Sequence, residues 1–351
     1  VAELDSYKQS EKWAAQNFSE ILESKKREAV NIIRSCLGPE GVYASGASSS
    51  YNYEYWTRDL CYSCETLLNL NLEPYVKRHV EMVIRSRRRG QVPTLIIKYP
   101  RIFSSPVKYT DQVDNELLIL DVLRKMGKMD LYREIWSYVE SKVGGDGLIY
   151  GRDWRDGMRI YVGKATFNNQ ALMFRVCPDE FRERLRERVE EVFWLPERGY
   201  YADYVSREGF KSKHLDVLGH ATAILCNLIP ESKIDTVIKS LSKALTPHGY
   251  VNVYPRYPKG ACGVWRLIPG NLYQNGGVWG LVQGHMILAL LKLGLREEAE
   301  EQFRRMCMWR GFNEWYDPET GEPKGSRNQL WSAALWHRCY EALSDVDSEI
   351  V

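Results

Sequence analysis

The chain has 351 residues, 44% of them hydrophobic and 27% charged, with a formal net charge of +2. That is ample for a large core and excludes wholesale disorder. So small a charge gives no general field for nucleic acid or anionic lipid, and no apolar stretch approaches the roughly 18 to 20 residues of a membrane helix. Neither nucleic acid nor membrane is therefore an expected partner; the polar N-terminus shows no signal-peptide pattern, and the expected address is cytoplasmic. Eight cysteines are scattered, mostly within helical patterns. Cys61 and Cys64 form a CxxC, but no second CxxC or nearby His completes a zinc set, so they read as reduced thiols. The basic run Arg85 to Arg89 reads as a solvated helix end.

In chain order, helical periodicity predicts outer helices over 10–37, 74–88, 129–142, 179–192, 232–245 and 296–309. Between them fall inner helices over 58–70, 111–126, 165–177, 215–228, 278–293 and 327–343. The outer segments carry one apolar stripe, as Phe181, Leu185, Val189 and Phe193 do at i+4 steps. Inner ones such as 215–228 are apolar nearly all round, which places them among other helices. Every inner-to-outer link is short, while every outer-to-inner link runs to roughly 15 to 30 residues, far beyond the usual helix connection. With antiparallel neighbours the long links all emerge at one end, where a rigid scaffold carries its sites. The simplest closed solution is an all-α, (α/α)6 barrel forming a single domain over 1–351. No fixed repeat supports a solenoid.

Aromatic residues concentrate in the long links: Tyr51, Tyr53, Tyr55, Trp56, Trp154, Tyr161, Tyr254, Tyr257, Trp265, Tyr273, Trp279, Trp315 and Tyr316. Rings with polar tips suit a wet, concave site for a ligand with both C–H faces and hydroxyls, which describes a sugar. Trp56, Trp154, Trp279 and Trp315 are expected to line it with exposed ring faces. Cleaving a glycosidic bond needs one carboxylic acid to protonate the leaving oxygen and a second carboxylate to activate water or attack. Four link segments offer candidates: YWTRDL (55–60), GRDWRDGM (151–158), YQNGGVWG (273–280) and FNEWYDPETG (312–321). Asp156 is the preferred acid because Gly157 beside it permits close approach, with Asp153 the near alternative. Glu314 precedes two aromatics and a turn, and is the candidate partner carboxylate. As an acid, Asp156 should have a raised pKa.

Those segments, with QLWSAA after them, resemble the successive signatures of six-hairpin glycosidases, in order from about Tyr51 to Trp336. The likeness is to the amylo-α-1,6-glucosidase part of glycogen debranching enzymes and, more distantly, to neutral/alkaline invertases and trehalases. It implies an inverting mechanism with no metal or organic cofactor. Asp156 matches the catalytic acid and Glu314 the base. Arg58 and Asp59 match the pair that grips the terminal sugar, while Gln274, Asn275 and Trp279 match the opposite wall. Gln329 and Trp331 match the start of the last inner helix. Ala165 to Asn169 depart from a Pro-Val-Glu segment of the debranching pattern, so the preferred sugar differs, and a lone barrel suits a small oligosaccharide.

Two other readings stand beside this one. His220 and His285 on inner helices could serve a sugar isomerase or epimerase on the same barrel, although core histidines with satisfied hydrogen bonds are the preferred reading. A non-catalytic carbohydrate-binding protein would keep the aromatics. Asp114, Glu116 and Asp216 open inner helices, where acids favour the N-terminus in any case. Sequence sets no oligomeric state.

Overall fold

The computed structural model describes residues 2–46, 49–99, 106–261 and 272–344, with side chains from Phe18 onward. Among them are twelve α-helices: α1 (Ala2–Ser35), α2 (Thr57–Asn69), α3 (Glu73–Arg85), α4 (Asp114–Lys125), α5 (Met129–Glu140), α6 (Phe167–Val176), α7 (Asp179–Phe193), α8 (Val217–Leu225), α9 (Glu231–Leu241), α10 (Gly280–Lys292), α11 (Arg296–Cys307) and α12 (Leu330–Ser344). The even-numbered helices pack neighbour on neighbour, and α12 returns to α2, closing a ring. Composition explains their place. Helices α8 and α10 are buried along almost their whole length, whereas α7 buries only Leu185, Val189 and Phe193 and turns its Arg and Glu outward. None of the described helices is long and apolar enough to cross a membrane.

Four of the five short links share a cause, the link between α6 and α7 turning instead at Cys177 and Pro178 with φ of -64° and -58°. Just beyond the C-terminal ends of α2, α4, α8 and α10 stand Asn71, Gly127, Asn227 and Gly294, all in the left-handed region at φ 59°, 67°, 58° and 75°. Asn and Gly are the residues that reverse the chain there at least strain, so the next helix begins within a few residues.

The all-α expectation needs correction. Among the described residues the long links carry seven small sheets, because their backbone groups must find partners outside any helix. Residues 165–166, 215–216 and 278–279, read as helix from their apolar character, are instead two-residue strands ahead of α6, α8 and α10. Residues 111–113 and 327–329 likewise precede their helices.

These pairings form a belt. The link ahead of each inner helix pairs with the next long link in the chain: Glu54–Trp56 with Leu95–Ile97, Ala165–Thr166 with Tyr204–Val205, Leu215–Asp216 with Val253–Tyr254, and Val278–Trp279 with Trp315–Tyr316. Single bridges complete the series, Gln112 to Arg152 and Gln329 back to Ser45. The mouth is therefore laced shut around its circumference, and residues at the starts of the inner helices are held facing one another.

Candidate active site

Inside the belt lies a cavity lined by residues from the starts of α2 and α12 and from the links around Trp154, Tyr273 and Glu314. Of the residues named from sequence, Trp56, Arg58, Asp59, Trp154, Asp156, Gln274, Trp279, Glu314 and Gln329 reach its wall. Trp331, named with Gln329, joins them, as do Tyr51 and Tyr273 from the link aromatics.

Arg58 sits in the first turn of α2, buried, with Nε donating to Asp114 Oδ2 at 2.7 Å and a terminal nitrogen donating to Gln112. Its other terminal nitrogen stands 3.8 Å from Asp156 Oδ2. Asp114 at the start of α4 thus orients an arginine. Burial pushes its carboxyl up to about 6, against the pull of Arg58. Asp59 is buried beside Arg58, accepts a 2.8 Å bond from Gln329 Nε2, and is raised well above the carboxylate range by burial.

Asp156 is held from two sides. Gln274 Nε2 donates to its Oδ1 at 3.1 Å and to the Trp154 carbonyl at 2.9 Å, while Gly157 N–H donates to Gln274 Oε1 at 2.8 Å. Burial alone would raise the Asp156 carboxyl, but Arg58, the amides of Gln274 and Gln112, and Lys108 outweigh it and hold it below the ordinary range. The direction is thus opposite to the one expected of an acid, because a guanidinium faces the carboxyl. Glu314 shows the reverse balance. Burial raises it, although Ser326 N–H donates at 3.0 Å, Tyr273 hydroxyl at 2.7 Å and Tyr51 hydroxyl at 3.3 Å. The chain passes Glu314 closely at Gly325, φ 69°, where a Cβ would collide with Oε2.

Four expectations change. Asp153 does not reach the cavity: it is fully buried and paired with Arg155 at 2.5 Å. Asn275 braces a neighbouring link instead, receiving Tyr257 N–H at 2.7 Å and donating to the Tyr257 carbonyl at 2.9 Å. Trp315 stands behind the wall, edge-on to Tyr273 with ring centres 6.0 Å apart. Trp154 and Trp279 do line the cavity, yet each is only 1% exposed, so they form an enclosed wall rather than an open stacking platform. Trp265 lies outside the described residues.

His220 and His285 lie outside the wall. His220 Nε2 accepts from Tyr201 N–H at 3.1 Å and His285 Nδ1 bonds the Leu281 carbonyl at 2.8 Å; burial lowers both, to about 4 and about 3. They are core histidines with backbone partners, so the isomerase reading loses the residues it rested on. The seven cysteines among the described residues, Cys61 and Cys64 included, are free, and burial pushes the Cys64 thiol up to about 12. Tyr51 and Tyr273 were missed as site residues, though both stood among the link aromatics and Tyr273 directly precedes Gln274.

Residues 178–332 match the mannosylglycerate hydrolase MGH1-like glycoside hydrolase domain. A mannosylglycerate hydrolase of Rubrobacter radiotolerans is 30% identical over 171 residues, which is 45% of this chain and 36% of that protein. The chain thus spans little more than a third of that relative. Among solved structures, an uncharacterized conserved protein from Thermus thermophilus superposes with a TM-score of 0.71 at 12% identity, over 89% of this chain and 99% of that one. The GH63 mannosylglycerate hydrolase of the same organism, in complex with Tris and D-glycerate, gives 0.66 at 13% identity, over 89% and 99%. These matches support a glycosidase on a helical barrel-like fold. They draw the resemblance away from glycogen debranching enzymes and toward the mannosylglycerate hydrolases.

Proposed function

We propose that this chain is an inverting glycoside hydrolase on an (α/α)6 barrel, acting on mannosylglycerate or a related small α-glycoside. The observation that carries the reading is that Asp156 and Glu314, far apart in sequence, line one small cavity with Arg58, Asp59 and several tryptophans. The wall is closed by large side chains, Trp154 and Trp279 among them at 1% exposure each, and such an enclosed wall suits a short glycoside rather than a polymer.

In this reading Asp156 protonates the leaving oxygen, and Glu314 takes a proton from the water that attacks the anomeric carbon from the opposite face. Arg58, Asp59 and Gln329 grip hydroxyls; Asp153, Asn275 and Trp315 brace the loops behind. The cavity's own residues set the reverse proton arrangement, Asp156 lowered and Glu314 raised. A sugar entering the cavity expels water and takes up Arg58 donors, and both changes raise Asp156. The test is product release from a panel of mannosyl and glucosyl glycerates, α-linked disaccharides and glycogen ends, with proton NMR of the first-formed anomer. Release of an inverted sugar from the small glycosides is expected. Retention of configuration, or turnover of glycogen ends alone, would overturn the mechanism or the substrate class respectively.

A further inference from the structure

We propose that Tyr273 and Gln274 act as one positioning element that holds the two carboxylates in register, one residue to each. The Tyr273 hydroxyl donates to Glu314 at 2.7 Å and the Gln274 amide donates to Asp156 at 3.1 Å. The inference rests on the glycosidase reading for its chemistry, though the juxtaposition stands without it. Two links that do not adjoin in sequence, 151–158 and 312–326, thereby meet on adjacent residues of a third.

That third link is built to be rigid. Asn252 donates to the Gln274 carbonyl at 2.6 Å and accepts from Gly276 N–H at 2.8 Å. The Tyr273 carbonyl accepts from Gly277 N–H and from Trp279 Nε1, both at 3.1 Å. Tyr273 itself lies at φ 25°, in the region L side chains rarely adopt. Such backbone persists only where its surroundings over-determine it. Gly277 fits the same account, since a Cβ there would fall 2.6 Å from the Tyr273 carbonyl oxygen. Gln274 is also fully engaged: its amide nitrogen serves the Trp154 carbonyl and Asp156, and its oxygen takes Gly157 N–H. It has the contacts of a brace rather than of a sugar-binding group.

The two residues should therefore be separable by pH. The ionisable groups facing Glu314 are Tyr51, Tyr273, Asp59 and Asp156; those facing Asp156 are Arg58, Lys108, Asp114, Tyr273 and Glu314. Each donor favours the ionised form of its own carboxylate, so its removal raises that group alone. The rising limb of kcat/KM follows the carboxyl that titrates lower, and the falling limb the one that titrates higher, whichever serves as acid. Given the directions above, Gln274→Met moves the rising limb to higher pH and Tyr273→Phe moves the falling limb to higher pH. Each shift should be about half a unit to one unit. In both variants kcat should fall on the order of 10- to 100-fold, with KM changing by less than about 3-fold. Carbon NMR titration of labelled Asp and Glu carboxyls, assigned with Asp156→Asn and Glu314→Gln, reads the same separation without turnover. If no glycoside is cleaved but the two carboxyls still shift one by one, the glycosidase reading fails and the positioning element stands. Both carboxyls shifting together, or neither moving, would overturn the proposal.

Discussion

Two arginines in this molecule are set among carboxylates, and only one of them faces a cavity. Arg155 is sealed: its side chain is 0% exposed and is paired with Asp153, Asp203 and Asp216 at 2.5, 2.8 and 3.2 Å, each of them also 0% exposed. Tyr161 and Tyr257 donate to Asp203 at 2.8 and 2.6 Å, closing the shell. Arg58 is equally deep but incomplete. It has a tight partner in Asp114, while the partner on its open side, Asp156, stands 3.8 Å away with a quarter of its side chain exposed. The residue types are the same. What differs is whether one side of the cluster is left for a ligand to finish, and Arg155 and Asp156, adjacent in the chain, fall on opposite sides of that line.

The largest expected contrast is in turnover. Asp156→Asn and Glu314→Gln should each lower kcat by roughly 10²- to 10⁴-fold while unfolding near the wild-type temperature, because the cavity loses a proton carrier but no packing. Aryl glycosides with activated leaving groups sharpen this, since they need no protonation. The variant that lacks the acid keeps their turnover and the variant that lacks the base does not. An Asp156→Asn enzyme inactive on such substrates, beside an active Glu314→Gln enzyme, would reverse the two roles.

In the sealed cluster the order inverts. Arg155→Met leaves three buried carboxylates without their shared cation, and breaking such a buried set costs about 3 to 5 kcal/mol. Urea unfolding should register that loss in full. A variant as stable as wild type would show that Arg155 is not what holds the cluster together.

A smaller effect is expected at Gly325. Alanine there must place its Cβ against Glu314 Oε2 at a φ of 69°, so the carboxylate or the turn has to shift. A loss of about tenfold in kcat with little change in KM is expected from such a displacement. Unchanged kinetics would show that Glu314 tolerates movement.

The ring of helices was legible from the sequence because burial writes itself in periodicity: stripes for α7, all-round apolarity for α8 and α10. The cavity residues were legible where a motif fixed them, as at Arg58, Asp59, Asp156 and Glu314. What could not be read was which side of a short motif faces inward. Asp153 and Asp156 bracket the same Trp-Arg pair; the Gln274 amide and the Arg58 guanidinium face Asp156 at the cavity, while Asp203 and Asp216 fix Arg155 and with it Asp153, and all four partners are remote in sequence. The strands ahead of the inner helices were misread for a related reason, since two-residue strands carry no periodicity of their own and are fixed by partners one link away.

A last contrast lies in how stability depends on pH. Burial pushes the Asp216 carboxyl up to about 7 despite Arg155, with Asp203 and Asp153 adding to the rise. The unfolded value is about 3.9, so between about pH 4 and pH 7 the native state binds more protons than the unfolded one. The contribution of this group to stability is therefore complete below about pH 4 and is lost as pH rises to 7, with a slope of at most about 1.4 kcal/mol per pH unit. Asp216→Asn removes the titration yet keeps an oxygen for Gly219 N–H at the start of α8, where asparagine caps as well as aspartate. Urea unfolding of both proteins across pH 4 to 7 should give a flatter curve for the variant. The Glu314→Gln protein, altered in the open cavity instead, should retain the slope that Asp216 imposes. Parallel curves for wild type and Asp216→Asn would show that Asp216 does not titrate in this range, and the contrast with Arg58 would then rest on exposure alone.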